Sequence, residues 1–379
     1  MPSPLHTLHD AGQSIWLDFI DRTLLQGETL AQRITDDALT GMTSNPTIFE
    51  KALASGFAYD TQLRDAATTR SAWELFELVE TDDVRTACDA FAAIHRETKA
   101  HDGFVSIEVS PGAAHDADAT VAEAHRLWKS VARPNVMIKV PGTSQGCVAL
   151  ERLIAAGLNV NVTLLFSVGA YAQVIEAYLR GLESRAAAGR DLTGVASVAS
   201  FFVSRVDTAI DARLDAMVAA GTLTSARATA LKGKAAVANA KRAYALFQER
   251  FAGPRWDALK ARGAQVQRPL WASTSTKNPA YRDTIYVEQL IGPHTVNTMP
   301  PSTLEAFRDH GVTARTVDSG LADAERSLAD LAAVGIKLDE VTDRLLTEGL
   351  ASFQKSFDTL VAGIEQKTAA LGRAVSASH

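Results

Sequence analysis

Cysteine is scarce in this sequence, since Cys88 and Cys147 are the only two among 379 residues. Two isolated cysteines cannot build a disulfide framework or a thiolate metal site, so both are expected to be reduced core residues. The nine histidines are scattered and show no HExxH or comparable ligand spacing. We therefore expect no metal site and no metal cofactor.

Long apolar runs and a targeting segment are also missing. No stretch approaches the roughly 18 uninterrupted apolar residues that a membrane helix needs. The first residues, MPSPLHTLHDAGQS, lack the basic flank and the apolar segment of a secretory signal. These absences predict a cytoplasmic protein with no membrane partner.

Positive charge is not in excess, because the formal net charge is -6 at pH 7. The chain therefore has no excess of positive charge that would attract nucleic acid, and any anionic ligand must be bound by individual basic residues or backbone amides at its site. No β-like segment is followed by GxGxxG or GxxxxGK[ST], which removes the main support for dinucleotide or nucleoside triphosphate binding. With 46% hydrophobic residues, the composition is that of a globular protein with an ample core.

The sequence does contain eight short β-like segments, most of them followed by a helical pattern. They cover residues 14–19, 41–46, 104–109, 136–143, 158–165, 195–202, 269–274 and 295–300. Strands that alternate with helices favour a parallel sheet, and eight such units favour a closed (β/α)8 barrel. An open doubly wound sheet is the alternative. We predict one α/β TIM-barrel catalytic domain over residues 1–372 and a disordered tail at 373–379.

Helical patterns fill most of the intervals between these segments. They cover residues 71–99, 117–132, 144–156, 167–188, 204–251, 279–291 and 302–309. Residues 206–251 exceed what a minimal barrel needs, and they predict a helical insertion after strand six, broken near Gly221 and Gly233. Residues 338–371 carry an amphipathic stripe that predicts C-terminal helical packing against the barrel. A dimer contact or a cover over the site are the alternatives.

Lys139 is the most informative residue, because it lies inside the apolar run Val136–Thr143. Such a run predicts a strand buried on both faces, where an unpaired ammonium is costly to desolvate. One explanation is an ion pair with a nearby carboxylate. The other is a desolvated amine that acts as a nucleophile and forms a Schiff base with a carbonyl.

Further polar residues fall in or at the ends of the predicted strands. In a barrel, the active site lies at the carboxyl ends of the strands, so these side chains are candidates for one site. Each also has a structural explanation: Asp18 or Asn45 can cap a helix, Glu108 can neutralise Lys139, and Thr163 can satisfy a core carbonyl. The full set is Asp18, Asn45, Glu108, Lys139, Thr163, Ser200 and Ser273.

This set of residues fits an aldol cleavage through an imine. Lys139 would attack a ketone, and the resulting iminium would accept the electrons of the adjacent carbon–carbon bond. Asp18 and Glu108 supply two carboxylates for proton transfer, and Thr163 supplies a hydroxyl. Arg205 and Lys277, which follow strands six and seven, are candidates for binding a phosphate, and solvated surface charges are the alternative.

Two segments carry a family resemblance. Residues 41–49, GMTSNPTIF, and residues 137–143, MIKVPGT, are similar to the two signatures of the transaldolase family, class I Schiff-base enzymes of the pentose phosphate pathway. Supporting segments are WLD at 16–18, IEV at 107–109, NVTLLFS at 161–167 and SFFVSR at 200–205. Together they span residues 14–300, and the longer chain resembles the actinobacterial type.

The resemblance implies transfer of a dihydroxyacetone unit between sugar phosphates, by a monomer or homodimer without a cofactor. It implies that Lys139 forms the Schiff base, that Asp18 is the acid/base on the cleaved hydroxyl, and that Glu108 and Thr163 position the catalytic water. Asn45 and Ser200 would hold substrate hydroxyls and Arg205 the phosphate.

The sequence departs from the family pattern after strand seven. Shorter members carry an ASFRN-like segment there, whereas this chain reads ASTSTKNP at 272–279. The arginine of that segment is absent, so Lys277 becomes the candidate for the second cation that binds phosphate. The nearest rival function is a fructose-6-phosphate aldolase, but aldolase members tend to place a hydrogen-bonding residue near the position of Phe202. A sugar-phosphate binding protein on an inactive barrel is a second rival, and an unpaired buried amine would serve it no purpose.

Overall fold

Eight parallel strands close into a barrel in the computed structural model, which describes residues 3–54 and 56–376, with side chains up to residue 371. The strands follow one another around the barrel in chain order, and β8 pairs with β1. All eight predicted strands are confirmed, and the open sheet is excluded. They are β1 (Gln13–Leu17), β2 (Leu39–Met42), β3 (Val105–Glu108), β4 (Val136–Pro141), β5 (Val160–Leu165), β6 (Ser197–Phe202), β7 (Arg268–Ala272) and β8 (Thr295–Met299).

Every residue of β4 is buried, as the apolar run predicts. Ile138 and Val140 are fully buried, and they alternate along the strand with Lys139, which therefore points to the barrel interior. The register aligns Lys139 with Glu108 of β3 on one side and with Asn161 of β5 on the other. Strand pairing alone therefore places a carboxylate and an amide beside the lysine.

Seventeen helices surround and extend the barrel in the described part of the chain. They are α1 (Pro4–Asp10), α2 (Arg22–Gln26), α3 (Thr29–Asp36), α4 (Pro46–Ala54), α5 (Asp60–Ala66), α6 (Ala72–Glu97), α7 (Ala117–Val131), α8 (Ser144–Ala156), α9 (Val168–Ala187), α10 (Ser204–Ala219), α11 (Ser225–Leu231), α12 (Ala235–Arg250), α13 (Pro254–Lys260), α14 (Ile285–Glu288), α15 (Pro301–His310), α16 (Leu321–Ala333) and α17 (Leu338–Ser376).

The segment after β6 forms four helices, α10 to α13. The predicted breaks are confirmed, because Gly221 and Gly233 have φ angles of 70° and 68°, a left-handed conformation that glycine adopts without strain. Helix α12 packs against α9 and β7 and so occupies a place in the outer helical layer. Helix α10 contacts both α12 and α17.

The helix expected at 279–291 is wrong for most of its length, since only Ile285–Glu288 is helical. The Thr276 hydroxyl donates to the carbonyls of Arg282 and Asp283 at 3.1 and 3.0 Å, which closes residues 276–283 into a loop. Asn278 also accepts from the Ala280 amide at 3.0 Å, a local bond that competes with helix formation.

The last helix, α17, packs against α4, α5, α6, α10 and β5. The predicted packing against the barrel is therefore confirmed. Lys367 fastens the far end of α17, because its Nζ donates to the carbonyls of Leu53 and Gly56 at 3.1 and 2.9 Å. The helix continues to Ser376, within the segment where the tail was expected, and residues 377–379 lie outside the described residues. Among the described helices, none combines the length and the apolar character needed to cross a bilayer.

The amino-terminal end of the barrel contains a buried polar network. Trp16 Nε1 donates to Asp102 Oδ1 at 2.8 Å, and the Ser14 hydroxyl donates to the same carboxylate. Arg268 donates to Ser14 Oγ at 2.7 Å and lies 3.5 Å from Asp102. Because Asp102 and Arg268 are almost fully buried, this network joins β1 and β7 to the segment before β3, at the end of the barrel opposite the predicted site.

Cys88 is buried as expected, whereas Cys147 on α8 is only partly buried. The expectation of a core position is therefore wrong for Cys147. It lies on α8, where the fully buried side chains are Ala149, Leu150, Leu153 and Ile154. Both thiols are free.

Candidate active site

A cavity of about 550 Å³ opens at the carboxyl ends of the strands. Nine of the ten residues predicted for the site line it, and the tenth, Glu108, contacts the cavity residue Lys139. The nine are Asp18, Asn45, Lys139, Thr163, Ser200, Phe202, Arg205, Ser273 and Lys277. The fold thus brings together residues that are far apart in sequence.

Lys139 forms a buried ion pair with Glu108. Lys139 Nζ lies 3.1 Å from Glu108 Oε2 and donates to the carbonyl oxygen of Ser44 at 3.1 Å. Lys139 is 4% exposed and Glu108 8% exposed. The ion-pair explanation is therefore correct, and the notion of an unpaired amine is wrong. The pair still places a proton acceptor directly beside the lysine nitrogen.

Burial raises the pKa of Glu108, although the positive charge of Lys139 opposes that increase. The negative charge of Asp18 raises the Glu108 pKa slightly further. A carboxyl group with a raised pKa is a better proton acceptor than one in water. The arrangement can therefore move a proton from Lys139 Nζ to Glu108 without solvent.

Asp18 lies just beyond β1, three strands from β4 around the barrel. Thr43 Oγ1 donates to Asp18 Oδ1 at 2.7 Å and also contacts Thr298 Oγ1 at 2.7 Å. Burial raises the pKa of Asp18, and the positive charge of Lys139 is the largest opposing effect. The two carboxylates thus have different partners. Glu108 contacts Lys139, and Asp18 contacts the Thr43 hydroxyl, which in turn contacts the Thr298 hydroxyl.

Thr163 is fully buried on β5 and lines the cavity. Its hydroxyl has no hydrogen-bond partner within the described residues. The register of β5 shifts between Val162 and Leu165, and Leu164 has a φ angle of 60°. A register shift of this kind is typical of a β-bulge, and bulges beside active sites often change the direction of a side chain. The unpartnered hydroxyl is therefore available to a water or a substrate atom in the cavity.

Asn45 and Ser200 have protein partners as well as cavity positions. Asn45 Oδ1 accepts from the Ile48 amide at 3.0 Å, the helix-capping role that the sequence allowed. The Ser200 hydroxyl donates to Asn161 Oδ1 at 2.7 Å, and Asn161 Nδ2 donates to Ser106 Oγ at 2.9 Å. These bonds fix both side chains, and the Asn45 amide nitrogen and the second lone pair of Ser200 Oγ remain for a ligand.

Arg205 and Phe202 form one wall of the cavity. The Arg205 guanidinium lies 5.2 Å from the centre of the Phe202 ring, and that ring packs against Phe166 at 5.2 Å. Burial lowers the pKa of Arg205. Within the described chain Arg205 forms no ion pair with a carboxylate, so its five N–H donors face the cavity without a neutralising partner.

Lys277 is exposed on the loop after β7, and its Nζ donates to Ser275 Oγ at 2.6 Å. Burial of part of the side chain and the neighbouring positive charges of Arg205 and Lys51 lower its pKa. Ser273, at the start of this loop, has a φ angle of 55°, and its hydroxyl lies 3.0 Å from Ser204 Oγ. The loop is therefore attached to the start of α10, where Arg205 lies.

Twelve residues that line the cavity were not predicted as site residues, among them Thr43, Lys51, Thr298 and Phe353. Phe353 comes from α17, and its ring centre lies 5.9 Å from Lys139 Nζ. The amphipathic stripe indicated that Phe353 is buried but not where it packs. The cover over the site, which the sequence left as an alternative, is therefore present together with the packing against the barrel. Lys51 follows the TSNP segment by one and a half turns of α4, a spacing that could have revealed it.

Comparison with known proteins identifies the family. The profile of the Transaldolase/Fructose-6-phosphate aldolase family matches residues 15–364. The transaldolase of Frankia alni is 47% identical over 98% of this chain and 99% of its own length. The transaldolase of Mycolicibacterium smegmatis is 49% identical over 94% and 95%, and transaldolase 2 of Nostoc sp. is 44% identical over 95% and 96%. The chain therefore belongs to the transaldolase family.

Proposed function

We propose that this enzyme transfers a dihydroxyacetone unit from a ketose phosphate to an aldose phosphate through a Schiff base on Lys139. The donors are sedoheptulose 7-phosphate or fructose 6-phosphate, and the acceptors are glyceraldehyde 3-phosphate or erythrose 4-phosphate. The observation that carries the proposal is the buried Lys139–Glu108 pair at 3.1 Å, which faces a cavity containing a second carboxylate, Asp18.

The first step needs a neutral amine. Glu108 takes a proton from Lys139 Nζ, and the amine then attacks the ketone carbon of the donor. The ketone oxygen leaves as water, and an iminium forms. Thr163 and Glu108 hold that water, since the Thr163 hydroxyl is buried without a partner in the described chain and lies on the strand next to β4.

The second step breaks the carbon–carbon bond next to the iminium carbon. Asp18 accepts the proton of the hydroxyl on the far carbon of that bond, and the carbon leaves as an aldehyde. The bond electrons move into the iminium, which becomes an enamine. The acceptor aldehyde reverses these movements: the enamine carbon attacks its carbonyl, Asp18 returns the proton, and hydrolysis frees the product and Lys139.

Substrate recognition uses the remaining cavity residues. Asn45 and Ser200 hold substrate hydroxyls with their free amide nitrogen and lone pair. Arg205 binds the phosphate bidentately, Lys277 adds a point charge on a more exposed loop, and Ser273 lines the same end.

Transfer is favoured over simple aldol cleavage by Phe202. An aldolase that releases dihydroxyacetone must protonate the enamine left by cleavage and then orient a water at the resulting iminium. The Phe202 ring is 6% exposed, packs against Phe166, and offers no group that could orient water. The enamine therefore persists until an acceptor aldehyde binds. We place the reaction in the cytoplasm, which supplies these sugar phosphates, and expect a monomer or homodimer.

Borohydride trapping tests the proposal directly. Incubation with fructose 6-phosphate and borohydride should add a reduced three-carbon unit to the peptide that contains Lys139, and Lys139→Met should abolish the label. Lys241→Met is the matched control, because Lys241 is also buried but donates to the Ser319 carbonyl outside the cavity. A label on Lys277, or no label, would contradict the mechanism. A second assay measures product formation with and without an acceptor aldose. A transferase forms product only when the acceptor is present, whereas an aldolase does not need it.

A further inference from the structure

A second cavity, of about 700 Å³, lies beside the catalytic one between α10 and α17. The two cavities share Arg205 and Lys277, which line both. The mechanism above uses no other part of this second cavity, which we call the α10–α17 groove.

The walls of the α10–α17 groove are largely apolar. Small side chains on one face of α10 and apolar positions of α17 form them, and the spacing of three or four residues keeps each set on one helix face. They are Ala209, Ala212, Ala216, Val341, Leu345 and Gly349. Because three of the α10 residues that line the groove are alanines, the groove keeps room for a flat apolar body.

The charges in the groove are mainly positive. Arg344 is neutralised by Glu348 at 2.6 Å. Arg205, Arg213 and Lys277 form no ion pair with a carboxylate anywhere in the described chain. Arg213 is half-buried and lies eight residues after Arg205, so about 12 Å further along α10. Because these three cations have no carboxylate partner in the described chain, the groove suits an anion with an apolar body.

We propose that the α10–α17 groove binds an aromatic organic phosphate. The phosphate pairs with Arg205 and Lys277, the aromatic body packs against the alanine face of α10, and the Arg213 guanidinium stacks on the ring. Since Arg205 and Lys277 also face the catalytic cavity, this ligand and a sugar phosphate exclude each other. That last consequence rests on the proposed phosphate role of Arg205.

Titration calorimetry with 1-naphthyl phosphate tests the proposal. The full-length enzyme should bind this probe at least about tenfold more tightly than inorganic phosphate, because only the probe fills the apolar groove. Fructose 6-phosphate should displace it. Ala212→Trp fills the groove. It should therefore reduce the affinity for 1-naphthyl phosphate to that for inorganic phosphate, and leave the affinity for inorganic phosphate unchanged. The matched control is Ala219→Trp, on an exposed position of the same helix outside the groove.

Arg213→Gln provides a second variant that does not depend on the fit of a tryptophan. It should weaken the binding of 1-naphthyl phosphate about tenfold. Arg242 is an exposed arginine on α12, and Arg242→Gln should leave that binding unchanged. The proposal is overturned if the wild type shows no preference for the probe over inorganic phosphate. It is also overturned if both groove variants keep that preference. Because calorimetry needs no turnover, failure of the Lys139 trapping experiment would leave this result intact.

Discussion

At the scale of single residues, the two carboxylates of the cavity have different partners and therefore different expected defects. Asp18→Asn should still form the trapped adduct but lose roughly 10²- to 10⁴-fold in cleavage rate, the usual scale for a positioned acid/base. Glu108→Gln should slow adduct formation itself, because Lys139 then lacks its proton acceptor at 3.1 Å. Single-turnover trapping with borohydride separates the two steps, and equal defects in both steps for both variants would show that the division is wrong.

Arg205 and Lys277 should differ in their contribution to phosphate binding. Arg205→Ala should raise KM for phosphorylated donors far more than KM for unphosphorylated dihydroxyacetone donors, because a guanidinium grips phosphate oxygens bidentately. Lys277→Ala should show the same pattern more weakly, as the side chain is exposed on its loop. Steady-state kinetics with both donor types provide the measurement. Equal losses for both donors would mean that Arg205 supports the fold and does not bind the ligand.

Glu80 on α6 should make the stability of the protein depend on pH. Burial raises its pKa well above the ordinary 4.5, and the negative charges of Glu108, Glu123 and Glu77 raise it further. The folded state therefore keeps a proton that the unfolded chain loses, so the free energy of unfolding decreases as the pH rises above about 4.5.

Glu80→Gln, which cannot ionise, should remove this dependence. Its melting temperature should match that of the wild type near pH 4 and exceed it increasingly toward about pH 7. Thermal unfolding followed by circular dichroism over that range is the measurement. A constant difference at every pH would show that Glu80 ionises normally in the folded protein.

At the scale of the elements, the loop after β7 is attached to α10 by tyrosine–aspartate bonds. The Tyr281 hydroxyl donates to Asp211, and the Tyr286 hydroxyl donates to Asp207 at 2.9 Å. Both aspartates are buried on α10, on the same helix as Arg205, and both tyrosines follow Lys277. These bonds hold the elements that carry Arg205 and Lys277 against each other.

Tyr281→Phe should loosen the loop and so weaken phosphate binding. We expect KM for fructose 6-phosphate to rise about three- to tenfold, since a hydrogen bond to a charged group is lost, while kcat stays near the wild-type value. Tyr178→Phe is the control, because that hydroxyl also loses a bond, to the Gln265 carbonyl at 2.8 Å, but on α9. A change in kcat without a change in KM would show that the loop does not act through the phosphate.

Sequence patterns revealed the strands far better than the helices. All eight strands were predicted because buried β-branched runs such as 136–140 are distinctive. Helices α1 to α5, α13 and α16 were missed. Most of them are short, and some depend on a local cap such as Asp21, which accepts from the Leu24 amide at 2.7 Å. The segment 279–284 was predicted to be helical because the side-chain bonds of Thr276 and Asn278 are not visible in hydrophobic periodicity.

The site was predictable where it depends on strand ends, and unpredictable where it depends on distant packing. The strand-end residues were found because parallel strands present their carboxyl ends at one mouth. Phe353 was not found, because its approach to Lys139 depends on the path of α17 across the barrel. The sequence offered an ion pair and a nucleophilic role for Lys139. The register of β3 and β4 places Glu108 beside it and so establishes the ion pair, while borohydride trapping tests the nucleophilic role.

At the scale of the whole molecule, the two ends of the barrel have different tasks. The carboxyl end contains the cavity, and the amino end contains the buried network of Asp102 and Arg268. Asp102→Ala leaves the Arg268 guanidinium buried without its carboxylate, which should lower the free energy of unfolding by about 3–5 kcal/mol.

Chemical denaturation measures this loss, and kcat of the folded enzyme should not change. Asp89→Ala is the matched control, because its ion pair with Arg133 at 2.6 Å lies on the exposed surface and contributes little. A loss of activity in Asp102→Ala without a loss of stability would show that the two ends of the barrel are coupled.

The position of α17 late in the chain determines when Lys139 is covered during synthesis. Translation proceeds from the amino terminus, and amino-terminal parts of a chain can fold first. All eight strands end by Met299, whereas Phe353, which covers Lys139, and Lys367, which fastens the helix to α4, come later. A nascent chain can therefore pair every strand of its barrel while Lys139 is still open to the solvent, and Lys139 is covered only after α17 has been made.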